Sequence, residues 1–347
     1  MDIMTNNRRK KDNIRTHHDL EIPTAVVLHN IIAENSPEDM KDVLIQAEWI
    51  GQLLCNLGYQ VKNIILDPAD PNLVHKLTDS VDVVFNLVDS NRAEPAIAYW
   101  AVTCLERLNI PFTGSPIEPM VLTTDKIHAK SRLRQAGLAT ADWVSSMDTS
   151  AFRPQIPYLV KPIREDASIG VSQASVIRPE SLQDLLTALA QNEAELGTAC
   201  FAEHYLPGRE FDVPLLATEA GVVALTPVEL VFHGFSTAGL YPVYSYDAKW
   251  GGNPLEYDGV QLQLSLDPVL NEQLQSMARQ AWDLFYLRGY GKVDFRLDAQ
   301  GCPHILEINC NPSLYLFWPH HQAGLLPMQE VIRRIVCAAE TWRSCEN

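Results

Sequence analysis

Gly291-Lys-Val-Asp-Phe-Arg-Leu-Asp298, then Ala-Gln-Gly-Cys-Pro, then His304-Ile-Leu-Glu-Ile-Asn-Cys-Asn-Pro-Ser313, is the stretch on which the fold turns. Two strand-like runs flank a turn containing Gly301, which predicts an antiparallel hairpin. Side chains alternate between faces along a strand, so Lys292 and Asp294 share one face, and Glu307 and Asn309 share one face of the partner. The strand lengths set Asp294 roughly opposite Glu307. Two carboxylates and an amide oxygen converging in this way suit a hard cation such as Mg2+, which keeps positions open for phosphate oxygens. A surface hairpin with its polar residues in water has the same alternation, so the neighbouring motifs must decide between the two.

Working outward, Tyr158-Leu-Val-Lys-Pro-Ile-Arg-Glu-Asp-Ala-Ser-Ile-Gly170 ends an apolar strand on Lys161 and enters a short loop. The N–H groups of that loop and Ser168 suit phosphate oxygens, with Lys161 adding charge; an ordinary hairpin loop is the plain alternative. Cys200-Phe-Ala-Glu-His-Tyr-Leu-Pro-Gly-Arg-Glu210 runs from a strand into a turn between lobes. Such a hinge can hold an adenine edge through backbone groups and a ribose through a carboxylate, or can be a linker and nothing more.

Toward the N-terminus the rhythm changes. Residues 24–29, 61–66 and 81–87 read as strands, and helices follow the first and third of these. In the first helix Ser36 is placed to cap, Pro37 suits the first position, and Val43, Ala47, Ile50, Leu54 and Leu57 draw one apolar stripe that ends at Gly58. Strand, helix, strand, helix implies a parallel sheet with helical crossovers, whereas the rest reads as two α+β lobes. The expected division is a tail at 1–22, a parallel α/β domain at 23–115, a central lobe at 116–206 and a C-terminal lobe at 207–347, with a long loop at 232–261.

The 347 residues suffice for two or three packed lobes, and 46% apolar with 20% charged residues is a globular composition. A net charge of −16 disfavours nucleic acid or an anionic membrane as partner, though local lysines can still bind phosphate. Seven widely spaced cysteines without a CxxC pair read as reduced thiols. The polar N-terminus lacks the apolar core of a signal peptide, which reads as a cytoplasmic location, and the patch Arg8-Arg9-Lys10-Lys11 reads as part of a solvated tail.

Taken together these motifs resemble the ATP-grasp superfamily, and within it the D-alanine–D-alanine ligases, from about Val81 to the C-terminus. Ile110-Pro-Phe-Thr-Gly-Ser115 with Thr124-Asp-Lys126 is similar to that family's entry to its central domain, and Lys161 to Gly170 to its phosphate loop. Tyr246-Asp-Ala-Lys-Trp250 is similar to its flexible-loop motif, and Gly291-Lys-Val-Asp294 with Leu306-Glu-Ile-Asn309 to its metal strands. The resemblance implies an ATP-grasp fold whose two α+β lobes clasp ATP. It implies Lys126 and Lys161 on the phosphates, Glu203 at the adenine amino group, Tyr205 and Leu206 along the hinge, and Glu210 at the ribose. It further implies Lys249 on the γ-phosphate when its loop closes, and Asp294, Glu307 and Asn309 around one or two Mg2+, with Mn2+ as a substitute. The implied reaction phosphorylates a carboxylate and lets an amine displace the phosphate, with positioning and positive charge as the main catalytic needs. Lys292 is the candidate for stabilising the oxyanion, and Ser168 assists at the phosphates. The implied partners are a small carboxylate and a small amine, with a homodimer by analogy.

The departures gather on the substrate side. Where the family carries HGxxGEDG, this chain has Asn86-Leu-Val-Asp-Ser-Asn-Arg-Ala-Glu-Pro95. Lys292 replaces an arginine and loses its bidentate fork, Ala167 replaces a serine, and Trp250 a tyrosine. After Asn311-Pro312 a glycine gives way to Ser313-Leu-Tyr-Leu-Phe-Trp318. Substrates other than two D-alanines are therefore expected. Tyr315, Phe317 and Trp318 suit an apolar or aromatic acceptor, with core packing as the competing reading. The His320-His321 pair reads as an exposed loop pair. The competing functions are a divergent D-alanine–D-alanine ligase and a catalytically silent nucleotide-binding protein.

Overall fold

The computed structural model describes residues 22–90 and 96–345, and side chains as far as residue 341. The N-terminal tail and positions 91–95 of the rewritten segment lie outside the described residues. The first lobe is β1 (Thr24–Asn30), α1 (Glu38–Asn56), β2 (Gln60–Leu66), α2 (Leu73–Thr78), β3 (Val83–Asn86) and α3 (Ile97–Arg107). Its sheet is parallel in the order β2-β1-β3. Every residue of β1 is buried, as a parallel strand covered on both faces must be. Ala25 and Val27 face one core, and Val26 and Leu28 the other.

Helices α4 (Ile117–Thr124) and α5 (Lys126–Gln135) lead into an antiparallel sheet of β4 (Trp143–Val144), β5 (Tyr158–Pro162), β6 (Val176–Ile177) and β7 (Cys200–His204), ordered β4-β7-β5-β6, with α6 (Leu182–Leu196) against it. Asp125 caps α5 by accepting from the His128 N–H at 3.0 Å, which fixes where Lys126 leaves the backbone. The strand expected over 173–177 is a 3-10 turn at Gln173–Ser175 followed by the two-residue β6, because Ser172 and Ser175 cap the turn reciprocally.

The last sheet holds β8 (Glu210–Thr218), β9 (Gly221–Ala224), β10 (Val228–Phe232), β11 (Val260–Leu264), β12 (Tyr290–Leu297) and β13 (Pro303–Asn309). Its order is β11-β10-β8-β12-β13, with β9 on β8. The expected long loop contains two short helices, α7 (Tyr246–Trp250) and α8 (Pro254–Gly259), each with its own cap at Ser245 and Asn253. Helix α9 (Pro268–Leu284) buries Leu270, Leu274, Ala281 and Trp282 against this sheet. After α10 (Trp318–Gln322), helix α11 (Met328–Cys345) leaves the lobe that precedes it in sequence. It packs Val331, Ile332, Ile335 and Val336 into one core with Ala47 and Ile50 of α1 and with Val83 and Phe85 of β3. Among the described side chains the cysteines Cys55, Cys104, Cys200, Cys302, Cys310 and Cys337 are free thiols. Among the described residues no helix is long and apolar enough to cross a membrane.

Candidate active site

The β12–β13 hairpin sets Asp294 opposite Glu307 and Lys292 opposite Asn309, the register its alternation requires. An irregularity after Asp294 adds Leu306 as an extra residue on β13, which re-aims Glu307 relative to the plain ladder. On its other edge β12 meets β8, where Asp212 lies opposite Asp294. Lys292 therefore sits between two carboxylates, 3.2 Å from Asp212 and 2.9 Å from Asp294. Burial works against its charge, but Asp212 and Asp294 outweigh it and hold the ammonium form above its usual range. Burial and the Asp212 charge push the Asp294 carboxyl well up. Its Oδ1 is buried with no hydrogen-bond partner, an arrangement that a bound cation would satisfy. Among the described residues no three His, Cys, Asp or Glu side chains converge tightly enough to cage an ion. The site is thus an incomplete oxygen shell, which fits an ion that takes its other ligands from phosphates and water.

Lys126 reaches the same place from the start of α5. Its Nζ donates to the Glu165 carbonyl at 2.6 Å and lies 3.3 Å from Asp166 and 3.5 Å from Glu307. Glu307 would be raised by burial, yet Lys126 and Lys161 bring its carboxyl down to about 2. One turn farther along α5, Lys130 is fully buried and touches Glu203 at 2.8 Å and the Thr140 hydroxyl at 2.8 Å. Lys161 meets the other oxygen of Glu203 at 2.5 Å. Glu203, 2% exposed, is held at about 2 because these two lysines overcome the burial that alone would raise it. The carboxylate expected at an adenine amino group is thus occupied by two lysines.

At the hinge, Tyr205 and Leu206 line a cavity of about 620 Å³ with Ile156, Arg178, Tyr241 and Pro242. One oxygen of Glu210, the expected ribose ligand, is 2.5 Å from Arg296, and Arg296 also donates to the Tyr205 hydroxyl at 3.0 Å. Ser168 donates to the Tyr244 carbonyl at 2.7 Å, so its hydroxyl ties the phosphate loop to the segment leading into α7. Lys249, on α7, is held below its ordinary value by burial and by the charge of Lys292, offset in part by Asp212, Asp294 and Glu307.

Lys126, Lys161, Lys292, Asp294, Glu307 and Asn309 are therefore brought into one cleft, with Lys249 within electrostatic reach. Sequence reading missed Asp212, Lys130 and Arg296. The signals were present: Glu210 and Asp212 share a strand face at period two, and Lys126 and Lys130 share a helix face at i, i+4. The aromatic trio divides. Phe317 is fully buried in the core, Trp318 is 43% exposed against His321, and Tyr315 is 40% exposed with its ring 6.2 Å from that of Trp49. His320, expected on an exposed loop, is buried, its Nε2 2.9 Å from the Thr226 carbonyl.

The family described as D-ala D-ala ligase C-terminus matches residues 133–323, more than half of the chain. The D-alanine–D-alanine ligase of Pseudoalteromonas translucida is 30% identical over 273 residues, which cover 76% of this chain and 81% of that one. This chain belongs to the D-alanine–D-alanine ligase family. The Nitrosococcus oceani enzyme is 33% identical over 216 residues, 60% of this chain and 62% of that enzyme. In three dimensions the D-alanine–D-alanine ligase of Bacillus anthracis complexed with ATP superimposes with a TM-score of 0.70 at 17% identity, covering 94% of this chain and 100% of that one. The Coxiella burnetii ligase gives 0.67 at 16% identity, covering 94% and 96%. The fold is the ATP-grasp fold of these D-alanine–D-alanine ligases, and membership makes the chain an ATP-dependent carbon–nitrogen ligase that also uses a divalent cation.

Proposed function

We propose that this chain phosphorylates a small carboxylate from ATP and passes the acyl group to an amine, with substrates other than two D-alanines. The observation that carries the substrate half is Lys292. It fills the place of the family arginine while wedged between Asp212 and Asp294. A single ammonium between two acids presents one point of charge to a tetrahedral intermediate where a guanidinium presents a planar fork. Nearby, the Gln46 side chain accepts from the Ser313 hydroxyl at 3.1 Å and the Leu314 N–H at 3.2 Å, where the family carries a glycine.

On this reading the lobes divide at 116 and 207. Lys126 and Lys161 would hold the phosphates, with Ser168 fixing their loop, and Tyr205 and Leu206 would flank the base. Glu210 would offer the ribose its oxygen not engaged by Arg296, and Lys249 would reach the γ-phosphate. Asp294, Glu307 and Asn309 would hold Mg2+, which when bound would neutralise phosphate charge. Glu203 would act on the nucleotide through Lys161, whose ammonium it holds in place. The names of the relatives favour a second reading, a D-alanine–D-alanine ligase that tolerates these replacements. A library of carboxylic acids with ATP, Mg2+ and hydroxylamine separates the two, because hydroxamate reports the activated acid whatever the amine. The proposal expects hydroxamate from acids other than D-alanine; robust D-alanyl-D-alanine formation as the preferred reaction overturns it. Tight ATP binding with no turnover of any acid would make the chain a silent nucleotide binder.

A further inference from the structure

Helix α7, which carries Lys249, is five residues long, too short to hold its own shape in water. Its position comes from contacts on two sides. On one, the Tyr246 N–H donates to the Val171 carbonyl at 2.9 Å, and the Trp250 indole N–H to the Ala167 carbonyl at 3.1 Å. The loop they grip has Ala167 and Ser168 in succession at φ +55° and +62°, a left-handed conformation that non-glycine residues keep only where their surroundings impose it. On the other side, the Tyr246 hydroxyl donates at 2.8 Å to the Asp39 carboxylate, 207 residues earlier, in the first turn of α1.

We propose that Asp39 is a positioning residue that latches α7 through Tyr246 and so holds Lys249 over the acid hairpin. This rests on the reading of Lys249 as the group that reaches the γ-phosphate. The latch joins the first lobe to a segment of the last lobe, and the same helix reaches the acceptor side. Two turns beyond Asp39, Gln46 donates to Asp42 at 2.8 Å and accepts from Ser313 and Leu314 of the segment after the metal hairpin. Helix α1 is thus one brace with two attachments, and the closed position of Lys249 is referenced to the acceptor segment through it. A hydrogen bond to a carboxylate is worth more than a neutral one, so its loss is measurable in the opening of so short a helix.

The test uses the full chain. Backbone hydrogen exchange of residues 244–251 and steady-state turnover are measured for the wild type, Tyr246→Phe, Asp39→Ala and the double variant. Each single variant is expected to speed exchange about tenfold and to lower kcat more than it raises the KM for ATP; the double variant is expected to go no further than either alone. Tyr246→Phe removes one hydroxyl at a half-buried position, so the set stays informative even if an α1 variant folds poorly. Exchange unchanged in Tyr246→Phe, or effects that simply add in the double variant, overturns the latch. A wild type that turns over no ATP while its exchange still responds to these substitutions sinks the ligase reading and leaves the latch standing.

Discussion

Lys126, Lys130 and Lys161 are each almost completely buried, and each meets a carboxylate within 3.5 Å. Across the cleft the lobes are joined by hydrogen bonds rather than ion pairs: the Tyr246 hydroxyl to Asp39, and the Ser313 hydroxyl and Leu314 N–H to the amide oxygen of the buried Gln46. The first half is an ionic network in which any missing member leaves a charge stranded in a poor solvent; the second is a set of separable polar contacts. On the proposed reading, that difference lets the acceptor side be rewritten while the lysine-lined side is kept. Substitutions in the network are expected to cost several kcal/mol, whereas those across the cleft are expected to cost less and to change what is recognised.

The contrast predicts unequal effects. The largest belongs to Asp294→Asn, which removes charge from the incomplete oxygen shell: kcat/KM in an ADP-release assay is expected to fall at least about 10³-fold, on the order of 4 kcal/mol. A fall of tenfold or less would place the cation elsewhere. Next is Glu203→Gln, which strands Lys130 and Lys161 and is expected to cost about 3–5 kcal/mol in denaturant unfolding at neutral pH. The folded Glu203 carboxyl sits at about 2, below its ordinary 4.5. The stability it contributes is therefore fully present above about 4.5 and lost as pH falls toward about 2, so wild type and variant should converge over that window. A gap constant with pH would show that the network's charge is not what stabilises it. Lys292→Arg restores a fork and is expected to shift preference among carboxylates on the order of tenfold, read as a ratio of kcat/KM values in hydroxamate assays. An unchanged ratio would remove Lys292 from the specificity argument. The smallest effect is expected from Trp318→Ala, within about 0.5 kcal/mol in thermal unfolding because the ring is exposed, with a raised KM for the amine as its signature. Loss of stability without a KM change would make Trp318 a packing residue like Phe317.

The same division governs what could be read from the sequence. The hairpin register, the cap at Asp125 and the placement of Lys161 on β5 follow from neighbours within a few residues, where periodicity and capping rules apply directly. Lys130 and Asp212 were legible in principle, because helix and strand periods put them beside residues already singled out. The occupants of Glu203, the pairing of Glu210 with Arg296 and the Tyr246–Asp39 bond depend on which lobes meet, and no local pattern encodes that. Helices α7 and α8 were hidden because each is one to two turns long, too short for an apolar stripe. Phe317 was ambiguous because its core is completed by α1 and α11, elements at opposite ends of the chain.

That shared core constrains how the chain is made. During synthesis β1, α1 and β3 emerge long before α11, yet Ala47, Ile50, Val83 and Phe85 find their cover in Val331, Ile332, Ile335 and Val336. The N-terminal sheet leaves the ribosome with one greasy side bare and keeps it so through most of translation, an exposure that invites chaperone capture or misassembly. The last helix is therefore a closing clasp for the earliest lobe, and truncations that spare every residue of the cleft still strip the nascent fold of its lining.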